Sequence, residues 1–198
     1  MKFGIWNILS WYRPGASTKA IQELEKWDID ITAVPEIRWL RNGNIKIGKY
    51  VVFYSWNTEN KHQFGAGFAI KEKFISNVIN FEPVNERLCY LRLRGQFYNY
   101  FLISAHAPTE DRDEETKDTF YDNLEEIITK APKYDIKIIL GDFNVKLGKE
   151  TILQPHVGNH SLHLITSGNG WRLANLAVHT NTHIKSPLYE HKRIHKET

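Results

Sequence analysis

Ile136-Lys137-Ile138-Ile139-Leu140-Gly141-Asp142-Phe143-Asn144 is the stretch on which the reading of this chain turns. Ile136, Ile138, Ile139 and Leu140 form a short apolar run rich in β-branched side chains, which predicts a buried strand. Gly141 ends it, a residue that permits a sharp turn or close approach of backbone to a ligand. Asp142 and Asn144 follow one residue apart and project from the end of the strand. Two readings stand side by side at this point. A strand followed by an Asx turn explains the residues. So does a scaffold strand that carries a carboxylate and a carboxamide to a loop rim for chemistry.

Working outward, other runs end in the same way. Phe3 to Asn7 reads as a first strand ending in an amide. Ile29, Ile31, Ala33 and Val34 form another, ending at Glu36, and Phe97 to Ala105 runs into His106. Between the first two, Pro14 and Gly15 break the chain, and Ser17 or Thr18 caps a helix. Ala20, Ile21, Leu24 and Trp27 then recur at helical spacing over residues 17–27. Tyr50 to Trp56, Gly67 to Ile70, Phe74 to Phe81 and Leu88 to Leu93 are further short strands. Gly65 and Gly67 mark a bend or close packing.

Residues 111–130 form the best helix, with Phe120, Leu124, Ile127 and Ile128 along one face. Asp111, Asp113, Glu114 and Glu115 at its start suit the positive end of the helix dipole and are not read as a metal site. Beyond Asn144 comes a loop over 145–166, a short helix around Arg172 to Ala177, a strand over Thr182 to Tyr189 and a basic tail over 191–196. Such strands interleaved with helices predict an α+β chain: a four-layer α/β/β/α sandwich of two packed mixed sheets flanked by helices.

Composition narrows the function classes. The 198 residues, 41% hydrophobic and 25% charged, are those of a globular domain with a substantial core. No repeat or linker interrupts them, so one domain over 1–198 is expected. Cys89 is the only cysteine, which excludes a disulfide framework and a CxxC metal site and favours a reducing, intracellular compartment. No stretch approaches a membrane span. A net charge of +3 is compatible with a polyanionic substrate.

If the strand ends meet, Asn7, Glu36, His106, Asp142 and Asn144 form a rim of oxygen and imidazole donors without thiolates. That set suits Mg²⁺, which takes one or two carboxylates and completes its shell with water and substrate phosphate; Mn²⁺ is an alternative. From first principles this points to metal-assisted attack of water on a phosphate ester.

An ordered series of motifs adds a resemblance. It runs Gly-Ile-Trp-Asn (4–7), Tyr-Arg-Pro-Gly-Ala (12–16), Pro-Glu-Ile-Arg-Trp (35–39), Gly-Ala-Gly-Phe-Ala (65–69), His-Ala-Pro-Thr-Glu (106–110) and Gly-Asp-Phe-Asn (141–144). Asn-Gly-Trp-Arg-Leu (169–173) and His-Lys-Arg-Ile-His-Lys (191–196) complete it. The series resembles the endonuclease/exonuclease/phosphatase superfamily. Within it the chain looks like the apurinic-type endonuclease domains of non-LTR retrotransposons and the craniofacial development protein 2-like proteins.

The resemblance implies Mg²⁺-dependent nicking of DNA. It assigns Glu36 as the metal-binding glutamate and Asn7 as the amide beside it. His106 falls where the family contacts the scissile phosphate. Asp142 matches the acid that activates water, and Asn144 the amide that holds the phosphate. Arg38 and Trp39 are candidate DNA contacts, by charge and by stacking. A monomer without a small-molecule cofactor or membrane, and a nuclear setting, complete the expectation.

Departures accompany the match. Pro35 replaces the usual Gln before the glutamate, and Leu9 stands where some relatives carry an acid. Family members continue past residue 196 into a Trp-x-Ser-Pro-Asp stretch and a final Asp-His pair, which this sequence does not contain. The last strands are therefore expected to be missing and activity to be impaired, since losing one phosphate-stabilising group costs ~10²–10³ in rate. Two further readings remain: a non-catalytic protein that keeps the fold and binds DNA or a partner, and a phosphatase of the same superfamily.

Overall fold

The computed structural model describes residues 1–7, 10–55, 64–158 and 160–190. The chain divides into two compact units, one of residues 1–106 with 131–142, the other of residues 107–130 with 143–198.

The first unit holds two mixed sheets. One has the strand order β1-β2-β5-β4-β3, made of β1 (Phe3–Ile5), β2 (Ile31–Pro35), β3 (Gly43–Ile47), β4 (Tyr50–Tyr54) and β5 (Ala66–Lys71). The other has the order β6-β7-β8-β9, made of β6 (Val78–Pro83), β7 (Leu88–Leu93), β8 (Tyr100–His106) and β9 (Ile136–Asp142). β1–β2 and β8–β9 are parallel, and every other pairing is antiparallel.

Side-chain alternation explains how the layers stack. Ile31 and Ala33 of β2, with Phe68 and Ile70 of β5, meet Cys89, Leu91, Leu93 and Leu102 of the other sheet. Val34 and Ala69, one residue out of step, point to the opposite face. There they meet Ala20, Ile21 and Leu24 of helix α1 (Ala16–Lys26). Strands covered on both faces must be apolar throughout, and β2 is buried at all five positions. The expected mixed α+β fold, two mixed sheets with flanking helices, is the one observed.

In the second unit α2 (Glu114–Lys130) is capped by Asp113, whose carboxylate accepts from the Thr116 N–H at 2.7 Å. One member of the acidic start is thus a cap, in addition to the favourable placement at the helix dipole that the sequence suggests. A short helix α3 (Gln154–Val157) and α4 (Gly168–His179) follow. Leu147, Val157 and Ala174 form a small core with Val145 and Ile184.

The structure corrects the sequence reading at several elements. β9 is the outermost strand of its sheet among the described residues, and its side chains are half-buried where a buried strand is expected. Gly141 makes no turn: it pairs with Ala105, and a Cβ there would lie 2.0 Å from the Ala105 carbonyl oxygen. Close approach between strands is what the glycine serves. β3 is not legible in sequence because Gly-Asn-Ile-Lys-Ile carries few apolar residues, and its pairing with β4 supplies the order. Residues 72–77 form a 3₁₀ turn rather than strand. Within 182–189 the only regular element is a 3₁₀ turn at Ser186–Leu188, where Pro187 has no N–H for a ladder. The basic tail lies outside the described residues.

Candidate active site

β2 ends at Pro35, which faces Ala66 across the ladder. The next residues leave the sheet through two left-handed backbone positions, Glu36 (φ 58°) and Arg38 (φ 60°). A non-glycine residue rarely adopts such angles, and the cost is of order 1 kcal/mol or more at each. Ile37, between them, is fully buried, so the motif is an apolar anchor with a charged side chain on either side. The loop before β5 holds it: Ile37 N–H donates to the Gly65 carbonyl at 3.1 Å, and Arg38 N–H to the Phe64 carbonyl at 2.8 Å. Gly67 makes room, since a Cβ there would come within 2.6 Å of Ile37 Cδ1 and 2.2 Å of the Phe53 carbonyl. The expectation of close packing at Gly65 and Gly67 thus has a physical account.

Four of the five core candidates converge in the first unit. The Asn7 amide donates to Asp142 Oδ2 at 3.2 Å and to Glu36 Oε1 at 3.4 Å, bridging the two carboxylates. His106 Nε2 lies 3.2 Å from the same Glu36 oxygen. The parallel register of β8 and β9 sets His106 opposite Asp142. Arg38 Nη2 lies 2.6 Å from Glu36 Oε2. Asn144 belongs to the second unit, where its amide donates to the Ala107 carbonyl at 2.9 Å and its backbone is left-handed (φ 48°).

His106 is buried, and burial, opposed by Glu36 and Asp142 and aided by Arg87 and Arg38, holds its pKa below the ordinary value. Burial thus favours the neutral ring. With the proton assigned to Nε2, facing Glu36, Nδ1 carries a lone pair. Nδ1 is buried without a hydrogen-bond partner among the described residues. Arg87, which the sequence reading missed, holds the strand end in place. Its carbonyl accepts from His106 N–H at 2.9 Å, its Nη1 donates to the His106 carbonyl at 3.2 Å, and its guanidinium stacks on Phe64 at 4.0 Å. Nothing in the turn Val84 to Arg87 marks it in sequence.

Trp39 proves to be a packing residue as well as a surface one. Its Nε1–H donates to the Trp11 carbonyl at 3.1 Å, and its ring meets Trp11 and Tyr54 edge-on, with centroids 5.8 and 5.0 Å apart. In the second unit His156 hydrogen-bonds the Thr182 carbonyl through Nδ1 at 2.8 Å and lies 5.2 Å from the His183 ring.

Glu36, Asp142 and the amide oxygen of Asn7 are hard donors, and two carboxylates with an amide fit a cation that keeps most of its water. Among the described residues no group of three or more His, Cys, Asp or Glu could hold a metal ion. Both Glu36 oxygens already have partners, so an ion at this carboxylate shares it with Arg38.

The fold is that of the endonuclease/exonuclease/phosphatase superfamily. The endonuclease domain of TRAS1, a telomere-specific non-LTR retrotransposon, matches at a TM-score of 0.58 and 17% identity, over 89% of this chain and 68% of that one. The AP endonuclease LMAP from Leishmania major matches at 0.62 and 10% identity, over 89% and 66%. In sequence the chain is similar to craniofacial development protein 2 of Bos taurus, 28% identical over 149 residues and 75% of this chain. The chain spans about a quarter of the length of the curated relatives it matches. No protein-family model matches it. Among the described residues no helix is long and apolar enough to cross a membrane.

Proposed function

We propose that this chain is the DNA-nicking endonuclease module of a non-LTR retroelement, or of a gene derived from one, and hydrolyses phosphodiesters with the help of a divalent cation. The observation that carries the reading is the convergence of Asn7, Glu36, His106 and Asp142 from separate strands. Their chemistry divides naturally. Asp142, bridged through Asn7, accepts the proton of the attacking water. Asn7 fixes the spacing of the two carboxylates. Neutral His106, held by Glu36 and Arg87, presents an imidazole to the phosphate, and Arg38 supplies positive charge beside Glu36. The resemblance gives Asn144 the part of a phosphate-holding amide. Glu36 with the Asn7 amide oxygen would hold Mg²⁺ or Mn²⁺, which supplies Lewis-acid polarisation of a phosphate oxygen. The motif series runs through both units, which supports their acting as one domain. The same reading assigns the chain to the nucleus, where its substrate is.

Nicking of supercoiled plasmid in Mg²⁺ tests the proposal, with Glu36→Ala and Asp142→Ala as controls. Product that accumulates with wild type and vanishes with both variants supports it. A second reading, a non-catalytic DNA-binding protein, is favoured by one feature: Arg38 and His106 already occupy the Glu36 carboxylate. DNA binding that weakens steeply with salt, without any nicking, would favour that reading instead.

A further inference from the structure

A cleft of about 300 Å³ is lined by Tyr12, Trp39, Leu40, Ile45 and Tyr54, and its Trp39 follows Glu36 by three residues. That volume is at the lower end of the ~300–1,000 Å³ of small-molecule sites. Three of its walls are aromatic. Trp39 is clamped by its bond to the Trp11 carbonyl and by edge contacts with Trp11 and Tyr54, so its ring is held rather than free to collapse into the cleft. Tyr12 is 57% exposed and Ile45 47% exposed, which leaves the cleft open on that side.

Charge around the cleft leans positive: Arg38 pairs with Glu36 and Lys46 with Glu72, at 2.6 Å each, and Arg13, Lys19, Arg41 and Lys49 add to the basic side. The segments that line it, residues 10–22 and 37–55, contain Arg13, Lys19, Arg38, Arg41, Lys46 and Lys49 and no Asp or Glu. The chain as a whole carries 26 basic and 23 acidic residues, so this is a local excess. Aromatic faces within a cationic surround are the combination that takes single-stranded nucleic acid, in which bases stack and phosphates pair. Distance fits too. Trp39 is three residues from Glu36, at most roughly 11 Å of chain, so a base no more than about one or two nucleotides from a phosphate at Glu36 reaches the cleft.

We infer that the Tyr12–Trp39–Tyr54 cleft is a subsite for an unpaired nucleobase next to the phosphate bound at Glu36. The inference rests on the proposed function and adds to it a stacking site distinct from the phosphate-directed groups. Tyr12 is the residue to test, because Trp39 also packs against the core while Tyr12 is mostly exposed.

The probe is a fluorescein-labelled single-stranded deoxyoligonucleotide, bound to the whole chain, with an abasic unit moved through each position in turn. Tyr12→Ala should weaken binding roughly 5- to 150-fold, the range for loss of one stacked base, with the salt slope unchanged and Tyr12→Phe near wild type. One abasic position should weaken wild type by the same factor and leave Tyr12→Ala unaffected. Ile45→Glu, a charge of the wrong sign at the rim, should weaken binding independently. Salt-dependent binding that is indifferent to Tyr12→Ala, to Ile45→Glu and to every abasic position would overturn the cleft and spare the proposed function. A wild type that binds no oligonucleotide at any salt yet nicks supercoiled plasmid would overturn the cleft alone, and one that does neither would overturn both.

Discussion

The two ends of strand β2 carry charge clusters of opposite character. At its start Asp30 accepts from Lys2 N–H at 2.9 Å, and Lys71 and Lys73 lie 3.2 and 3.1 Å from its Oδ1. Lys71 also pairs with Asp28. Charge there is matched and the carboxylate is hydrogen-bonded. At the other end Glu36 and Asp142 share one Asn7 amide, two residues sit at left-handed angles, and His106 is buried with Nδ1 unsatisfied among the described residues. One end has been arranged for stability, while the other keeps strain and unspent hydrogen-bonding capacity. Strain and unsatisfied polar atoms persist in folded proteins chiefly where function holds them.

Substitutions should separate the two ends. The largest loss of stability is expected at Gly141→Ala, about 3 kcal/mol or more, because the new Cβ meets the Ala105 carbonyl at 2.0 Å and must push β9 from β8. Chemical denaturation would show it, and an unchanged midpoint would mean that the strands part easily. Next comes Asp30→Asn. Removing the charge leaves Lys71 and Lys73 without their shared partner, and about 2 kcal/mol should be lost, roughly 4–8 °C in Tm.

The same carboxylate sets an acid limb. Burial raises the Asp30 pKa, but the Lys2 N–H and the Lys73 and Lys71 ammonium groups outweigh it and bring it to about 2. A carboxylate depressed in the folded state contributes its stability above the unfolded value near pH 4. That contribution falls away as pH drops towards 2. Wild type should therefore lose stability across that window, and Asp30→Asn should lose less. The smallest effect is expected at Lys46→Ala: its pair with Glu72 at 2.6 Å is exposed on both sides, and less than about 0.5 kcal/mol should follow. A larger loss there would blur the contrast between matched and functional charge.

Much of this contrast is legible in the sequence, and what is not has physical reasons. Asn7, Glu36, His106 and Asp142 can be picked out because each ends a strand, where a polar residue after an apolar run has little reason to be except to face solvent or substrate. β2 and β8 are readable because both of their faces are covered. β3 is not, since its Gly and Lys residues take their order from β4. The partial exposure of β9 is equally hidden, because an edge position depends on strands elsewhere in the chain. Arg87 acts through its carbonyl and its stacking on Phe64, contacts that leave no pattern in a turn. The left-handed angles at Glu36 and Arg38 are likewise invisible, as neither residue type favours them.

The central claim is that the Glu36 end of β2 is kept for chemistry and not for stability. Its most direct test is the rate at which Glu36→Gln nicks supercoiled plasmid in Mg²⁺, with its Tm measured alongside. A fall of ~10²–10³ is expected, with a Tm at or above that of wild type. Nicking at the wild-type rate with a lowered Tm would contradict it.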